Sequence, residues 1–228
     1  MFPTHFKFSP LAFLVAFFGI YFLAAVPCTY AQSNYTEKSD PEATKILKKL
    51  KSVYSRYDAI EIDYTLEIEN GQDKEVQQGN ILQQGDKYRI NNNGNIIIND
   101  TKTVWMYIQK QNEVQVNDYD AEDDPGFTPA KIFNIDESDE EFFYAITDQD
   151  SKGYKIEFKP LDKDAELMKI RVHVDKAQSK IYSIIIFQDD GSRMTFNVKS
   201  IKNIQPTVAD FKFNKEKHPG VKEVDLRD

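Results

Sequence analysis

The side chains that most often carry chemistry in proteins are sparse in this sequence of 228 residues. It holds one cysteine, Cys28, and three histidines, of which His173 and His218 lie in the second half of the chain. Thiol nucleophiles and zinc sites need cysteine or clustered histidine. His173 lies near Lys169 and Arg171 on the charged side of an alternating stretch, which indicates a solvated histidine rather than a base or a metal ligand. The sequence therefore predicts neither zinc nor thiol chemistry.

Carboxylates are the reactive groups present in excess, since 37 Asp and Glu outnumber 29 Lys and Arg. The acidic clusters Asp118 to Asp124 and Asp136 to Glu141 offer the oxygen ligands that calcium prefers. Neither follows the spaced pattern of a calcium loop, so solvated loops are the favoured interpretation. The net charge of −8 repels nucleic-acid phosphates. We expect no metal, no cofactor, no nucleic-acid partner and no enzymatic activity.

The N-terminus has the features of a secretory signal peptide. Lys7 precedes an uncharged apolar run from Leu11 to Val26, and Ala31 ends a small-residue cleavage site. The run is shorter than the roughly 20 residues that a helix needs to cross a bilayer, which leaves an uncleaved anchor as the weaker alternative. No linker rich in Pro, Gly or Ser divides the remainder. The sequence predicts a cleaved signal peptide at residues 1–31 and one domain at residues 32–228.

The first element predicted after this segment is an amphipathic helix. Ser39 or Asp40 can cap it, and Pro41 suits its first turn. Its apolar residues have the spacing of a single helical stripe: Ala43, Ile46, Leu47, Leu50, Val53, Tyr54 and Tyr57. Lysines occupy much of the remaining circumference, so the helix must lie on an apolar surface.

Most of the remaining chain alternates with a period of two residues, as antiparallel strands with one dry face do. The predicted strands lie near residues 60–68, 76–83, 88–90, 96–98, 103–109, 114–116, 142–147, 154–160, 168–174, 181–188 and 193–199. A short helix beginning at Thr128-Pro129 interrupts them. Residues 208–213 are predicted to form a turn of helix and a last short strand, and a polar tail follows from Pro219.

About ten or eleven antiparallel strands are more than one flat sheet usually holds, so the sheet must curl. The predicted fold is mainly β with α: an incomplete, half-open antiparallel β-barrel with a helical lid on its concave side. The chain contains 16 Phe and 12 Tyr, and most of those beyond the signal segment fall on strand faces or helical stripes. These aromatic residues either fill an ordinary core or line a cavity for a long-chain ligand.

Five stretches, taken in order, resemble the periplasmic lipoprotein carrier family LolA. They are ILKKLKSVYSRYDAIEIDYTLEI, VQQGNILQQGDKYRI, IIINDTKTVWMYIQKQNEVQV, the Thr128-Pro129 helix start and FKFNKEKHPGVKEVDL. The turn and strand from Asp100 to Tyr107 form the most specific piece. The resemblance covers essentially the whole chain after the signal peptide.

The resemblance implies a monomeric periplasmic chaperone that binds the acyl chains of lipoproteins and uses no cofactor. Such a carrier accepts acylated lipoproteins from an inner-membrane transporter and delivers them to an acceptor at the outer membrane. Two alternatives remain open at this point. One is a carrier or sensor of the same fold for another lipid or hydrophobic ligand, and the other is a structural envelope protein with a filled barrel.

We expect the acyl cavity and its lid to be lined by apolar residues of the strands and helices. The predicted lining is Leu47, Leu50, Tyr64, Leu66, Tyr88, Ile132, Phe133, Phe158 and Phe196. Trp105 and Tyr107 are included as well, although Val104, Met106 and Ile108 make the facing of that strand ambiguous. The best-studied family members place an arginine that latches the lid just after the second strand. Gln84 or Gly85 stands there in this chain, and the nearest arginine, Arg89, lies in the next strand.

Overall fold

A computed structural model describes residues 39–120, 141–163 and 165–227. They form one α-helix, α1 (Pro41–Tyr54), and twelve β-strands. The strands are β1 (Ala59–Asn70), β2 (Asp73–Gln84), β3 (Lys87–Asn92), β4 (Asn95–Asn99), β5 (Thr103–Ile108), β6 (Glu113–Asp118), β7 (Phe142–Gln149), β8 (Gly153–Pro160), β9 (Leu167–Asp175), β10 (Lys180–Gln188), β11 (Arg193–Ile204) and β12 (Lys222–Asp225). The predicted signal peptide and the predicted helix at Thr128-Pro129 lie outside the described residues. No helix within these ranges is long and apolar enough to cross a membrane.

All twelve strands form one sheet in the order β12-β6-β5-β4-β3-β2-β1-β11-β10-β9-β8-β7. Strands β1 to β6 form one antiparallel meander, β7 to β11 form a second, and the β1–β11 pair joins them. Among the described strands, the end strands β7 and β12 do not pair, so the sheet stays open. The predicted incomplete barrel with a helical cover is confirmed, with one or two strands more than expected.

The C-terminal region differs from its predicted course. Val208–Phe211 forms a 3-10 helix, but the last strand is β12, which lies inside the segment predicted to be a polar tail. β12 pairs with β6 in parallel, whereas every other strand pair in the described sheet is antiparallel. Its sequence, Lys-Glu-Val-Asp, has only the valine half-buried. A strand without a dry face leaves no alternation to detect.

The predicted helix forms for the expected reasons. The Asp40 carboxylate caps it by accepting a hydrogen bond from the Glu42 N–H at 2.8 Å, and Pro41 occupies the first turn. Its buried residues are Ala43, Leu47, Leu50 and Tyr54, which follow the predicted stripe. This stripe packs on inward-facing residues of β1, β2 and β7 to β11. We call the sheet face that meets α1 the inner face, and the opposite one the outer face.

The outer face is charged or polar over β1, β8, β9 and β11, as the alternation predicts. Charged side chains there are paired across neighbouring strands. Glu157 of β8, only 5% exposed, accepts from Lys169 at 3.2 Å and from Arg171 at 2.5 Å on β9. Asp63 of β1 accepts from Ser200 at 2.6 Å and from Asn80 at 2.7 Å. These contacts give hydrogen-bond partners to carboxylates that the sheet partly removes from water.

The outer face also carries apolar residues on β2, β4, β5 and β6, which the sequence did not predict. A second buried cluster lies there: Ala59, Leu82, Ile96, Ile98, Tyr107, Val114 and Phe211. The C-terminal segment covers it through Phe211, Phe213 and the ring of His218. That ring lies 4.2 Å from Tyr107 and 4.8 Å from Phe213, measured between ring centroids. Apolar side chains therefore project from both faces of β4 and β5.

The two described histidines are predicted to weaken the fold as the pH falls from 7 to 5. Burial lowers the pKa of His218, and the charges of Arg89 and Lys217 lower it further. His173, expected to be solvated, is half-buried, and burial together with Arg171 lowers its pKa. A histidine whose folded-state pKa lies below its unfolded value near 6.5 stabilises the fold while neutral, and that contribution disappears as pH falls toward the folded-state pKa.

The substitution His218→Phe tests this directly, because phenylalanine keeps the stacking on Tyr107 and Phe213 but cannot take up a proton. Urea unfolding at pH 7 and pH 5 is expected to show a smaller loss of free energy in the variant than in the native protein. Part of the loss remains, because His173 still titrates. Equal losses in the two proteins would show that His218 is not held in its neutral form.

Candidate ligand-binding site

The inner face carries an apolar row that crosses six strands without interruption. Each residue in the row is the register partner of the next: Ile201 of β11, Ile62 of β1, Ile81 of β2, Ile90 of β3, Ile97 of β4 and Met106 of β5. Directly paired residues project from the same face of a sheet. The row is therefore one strip of aliphatic and thioether surface running outward from beneath α1.

Burial along this row changes from one end to the other. Ile62 and Ile81 are 2% and 1% exposed, because they lie in the cluster that α1 covers. Ile90, Ile97 and Met106 are only half-buried. The inner face of β3 to β5 thus presents apolar side chains that the described part of the protein does not fully cover, and it is the candidate site for an alkyl chain.

Most of the predicted lining residues are brought together, but in the packed part of the inner face. Leu47 and Leu50 of α1 meet Tyr64, Leu66, Phe158 and Phe196, and none of the six is more than 6% exposed. Tyr88 lies on the same face at 9% exposure. These residues form the underside of the helix and the floor beneath it, rather than open surface.

Two predicted residues lie elsewhere, and two cannot be placed. Trp105 and Tyr107 project from the outer face, where Tyr107 belongs to the buried second cluster and Trp105 packs against it. The register pairs Met106 with Ile97 on the inner face, so the odd-numbered residues of β5 must point outward. Ile132 and Phe133 lie outside the described residues.

The lining predicted from the sequence did not include the row residues Ile62, Ile81, Ile90, Ile97 and Met106. Ile62 and Ile90 carried a usable signal, because each alternates with charged or polar neighbours. Residues 96–98 are three consecutive isoleucines, and β5 is apolar on both faces. Alternation cannot assign a face in either strand, so only the pairing register shows which residues point inward.

Tyr64 reaches across β2 to β3 in an arrangement that depends on one glycine. Its hydroxyl donates a short hydrogen bond to the Asn92 side-chain oxygen, and its ring packs on Phe196 with centroids 5.3 Å apart. The ring passes over Gly79, where an added Cβ would lie 2.2 Å from the Tyr64 Cζ atom. Burial raises the pKa of Tyr64 well above its usual value, so the hydroxyl stays protonated as a donor.

The helix is fastened to the sheet at both ends, without an arginine. At its start, the Asp40 N–H donates to the Tyr144 carbonyl oxygen at 2.9 Å, and the Asp40 carboxylate accepts from the Ile146 N–H at 3.3 Å. At its end, the Tyr54 hydroxyl accepts from the Ile181 N–H at 3.1 Å, beside an irregularity in β10. Burial raises the pKa of Tyr54 to about 12.

Arg89 does not replace the family's latching arginine. It is paired with Leu82 and Ile98, which belong to the outer-face cluster, so it projects away from α1. Where the family arginine is expected, the turn at Gln84 and Gly85 instead borders a cleft of about 190 Å³. The cleft lies between this turn, the start of β1 and the end of α1. It is lined by Lys51, Tyr54, Ser55, Tyr57, Asp58, Ala59, Ile60, Gln83, Gln84 and Gly85.

Comparison with known proteins gives one family and a recurring fold. The family described as outer membrane lipoprotein carrier protein LolA matches residues 55–214. An uncharacterized conserved protein from Thermus thermophilus is similar at 10% identity and a TM-score of 0.53, over 81% of this chain and 99% of that one. At that identity the likeness is one of fold. No curated protein matches the chain.

Two further solved structures match similar fractions of the two chains with lower TM-scores. A putative outer membrane lipoprotein-sorting protein domain from Vibrio parahaemolyticus has 12% identity and a TM-score of 0.43, over 76% of this chain and 97% of that one. A LolA superfamily protein from Nitrosomonas europaea has 9% identity and a TM-score of 0.40, over 75% and 97%. The family match, which spans most of the chain and includes β1 to β11, is the decisive result: this protein belongs to the LolA family of outer membrane lipoprotein carrier proteins.

Proposed function

We propose that this protein is a carrier that shields the acyl chains of lipoproteins on the inner face of its sheet and moves them from the inner to the outer membrane. The observation that carries the proposal is the apolar row from Ile62 to Met106, which is closed beneath α1 and half-buried over β3 to β5. An alkyl chain that lies along this row exchanges water for isoleucine and methionine side chains.

The energetics require a lid that opens. Burying one methylene contributes about 0.8 kcal/mol, so a chain of roughly 16 carbons gains on the order of 10 kcal/mol. A carrier that kept all of this gain would not release its cargo. Entry beneath α1 must displace the stripe that contains Leu47 and Leu50, and the cost of lifting it offsets part of the gain. The polar contacts at Asp40 and Tyr54 are few enough to be broken and remade.

The remaining parts of the proposal concern location and partners. A signal peptide at residues 1–31 would direct residues 32–228 to the periplasm, where the protein acts as a monomer. It would receive cargo from an inner-membrane transporter and pass it to an outer-membrane acceptor. Shielding an alkyl chain needs no bond to be broken, so the carrier itself is not an enzyme.

Native mass spectrometry of the protein purified from the periplasm of its own cells tests this function. The expected result is a bound species with the mass of an acylated polypeptide, which organic solvent removes. A free lipid of lower mass would instead support a carrier or sensor of another hydrophobic ligand. The cellular counterpart is depletion, after which outer-membrane lipoproteins should accumulate at the inner membrane. Unchanged lipoprotein distribution after depletion would contradict the transport role.

A further inference from the structure

Two amide side chains on the inner face each leave a buried polar atom without a hydrogen-bond partner among the described residues. They are the Gln83 Oε1 atom, an acceptor, and the Asn99 Nδ2 atom, a donor. Backbone groups fix both orientations. The Gln83 Nε2 atom donates to the Gly85 carbonyl oxygen at 3.1 Å, and the Asn99 Oδ1 atom accepts from the Thr101 N–H at 2.6 Å. The unpaired atoms are therefore one acceptor and one donor.

Both residues belong to one cross-strand row beside the apolar row. Gln83 of β2 is paired with Tyr88 of β3, which is paired with Asn99 of β4. On either side, Ile60 of β1 is paired with Gln83, and Val104 of β5 is paired with Asn99. Each of the three central residues lies two positions along its strand from an isoleucine of the apolar row. A polar strip thus borders the alkyl site at one edge.

Burying such groups without partners works against folding, since an aliphatic residue of similar size leaves no hydrogen-bonding capacity unmet. Asn99 is completely buried. Gln83 lines the cleft of about 190 Å³ at the end of α1, so the displacement of α1 that cargo entry requires would open the strip at that end. A ligand group that brings a donor to Gln83 and an acceptor to Asn99 would satisfy both atoms.

We propose that Gln83 and Asn99 bind a secondary amide attached to the alkyl chain of the ligand, with the amide lying over Tyr88. The inference rests on the proposed function, because it assigns a polar subsite to the same ligand. Two strand spacings separate the residues by roughly 10 Å. An amide that donates at one end and accepts at the other spans about 8 Å between its two partners. The reach of the Gln83 and Asn99 side chains accommodates the difference between the two distances.

A matched pair of ligands isolates the amide N–H. N-Methyldodecanamide and methyl dodecanoate have the same chain and the same carbonyl group, but only the amide can donate to Gln83. Each is titrated against the native protein by displacement of a fluorescent fatty-acyl probe. We expect the amide to bind about tenfold more tightly, which corresponds to one hydrogen bond in a site that excludes water.

Two substitutions test separately whether Gln83 accepts from the amide N–H and whether Asn99 donates to the amide carbonyl. Gln83→Met keeps the shape and removes the acceptor, so the tenfold preference for the amide should disappear. Asn99→Leu removes the donor to the carbonyl that both ligands share. It should weaken both ligands about equally and keep their ratio. Urea unfolding of each variant shows whether the fold is retained, and Gln83→Met alone suffices if Asn99→Leu fails to fold.

A third ligand separates the two chemical sources of such an amide. In S-dodecyl-N-acetylcysteine N-methylamide the amides belong to the peptide, and the chain is joined through sulfur. If Gln83→Met weakens N-methyldodecanamide alone, the acyl group supplies the amide, and if it weakens this third ligand as well, a peptide amide can occupy the same site. Equal binding of amide and ester by the native protein would overturn the inference while leaving acyl binding intact. Failure of every ligand to bind would instead contradict the proposed function.

Discussion

Replacing Met106 with glutamate is expected to lower the affinity of the protein for a fatty-acyl probe by at least about 100-fold. Met106 ends the apolar row and is half-buried on the inner face. A bound alkyl chain would cover the new carboxylate and strip it of water with no cation offered in return. A 100-fold loss corresponds to about 2.8 kcal/mol, a modest value for such a desolvation. Fluorescence titration of the probe measures the affinity.

The matched control is Val76→Glu, which places the same charge on the outer face of β2. Val76 is 59% exposed, so the variant should bind the probe as the native protein does. Both variants should unfold at urea concentrations close to that of the native protein. Leu66 and Phe196 are poorer positions for this test, because at 0% and 6% exposure a charge there would disrupt the fold itself. If Met106→Glu bound the probe as tightly as the native protein, the inner face of β3 to β5 would not be part of the binding site.

Much of this fold could be predicted from alternation, because most of its strands have one dry face and one wet face. Residues 154–160 and 181–188 were predicted as strands, and β8 and β10 begin one residue earlier and end at the same positions. The helix stripe was equally visible, since charged residues flank it. Alternation failed where both faces are alike: β12 is nearly wet throughout, and β4 and β5 are dry on both sides.

The candidate site was less predictable, because it depends on which residues are paired. The sequence indicates that Ile62 and Ile90 lie on dry faces, but it does not specify the register that joins their strands through β2. Pairing Ile62 with Ile81 places Ile90, Ile97 and Met106 in one row, and it places Gly79 opposite Tyr64. The register of β1 against β11 also shifts between Asp63 and Tyr64, and this shift determines which β11 residues lie beside the Tyr64 ring. Such irregularities leave no periodic trace in the sequence.

The pairing of Tyr64 with Gly79 gives the second large prediction, and its sign is diagnostic. A glycine inside a strand is ordinarily less favourable than alanine by roughly 0.5–1 kcal/mol, so Gly79→Ala would normally stabilise the protein. Here the new Cβ would lie 2.2 Å from Tyr64 Cζ and 2.4 Å from Asn92 Oδ1, both well inside van der Waals contact. Tyr64 is 3% exposed and packed on Phe196, so its ring has little room to move.

We therefore expect Gly79→Ala to lower the free energy of unfolding by about 2–3 kcal/mol, the cost of overpacking combined with loss of the bond between Tyr64 and Asn92. Urea unfolding followed by circular dichroism measures it. In a Tyr64→Ala background the ring is gone and the Asn92 side chain, released from its bond to Tyr64, can turn aside, so the same glycine substitution should become neutral or stabilising. The difference between the two backgrounds is the coupling between ring and backbone. If Gly79→Ala stabilised the native protein, the ring could not lie across β2, and the inner face would have to be packed differently around the start of the apolar row.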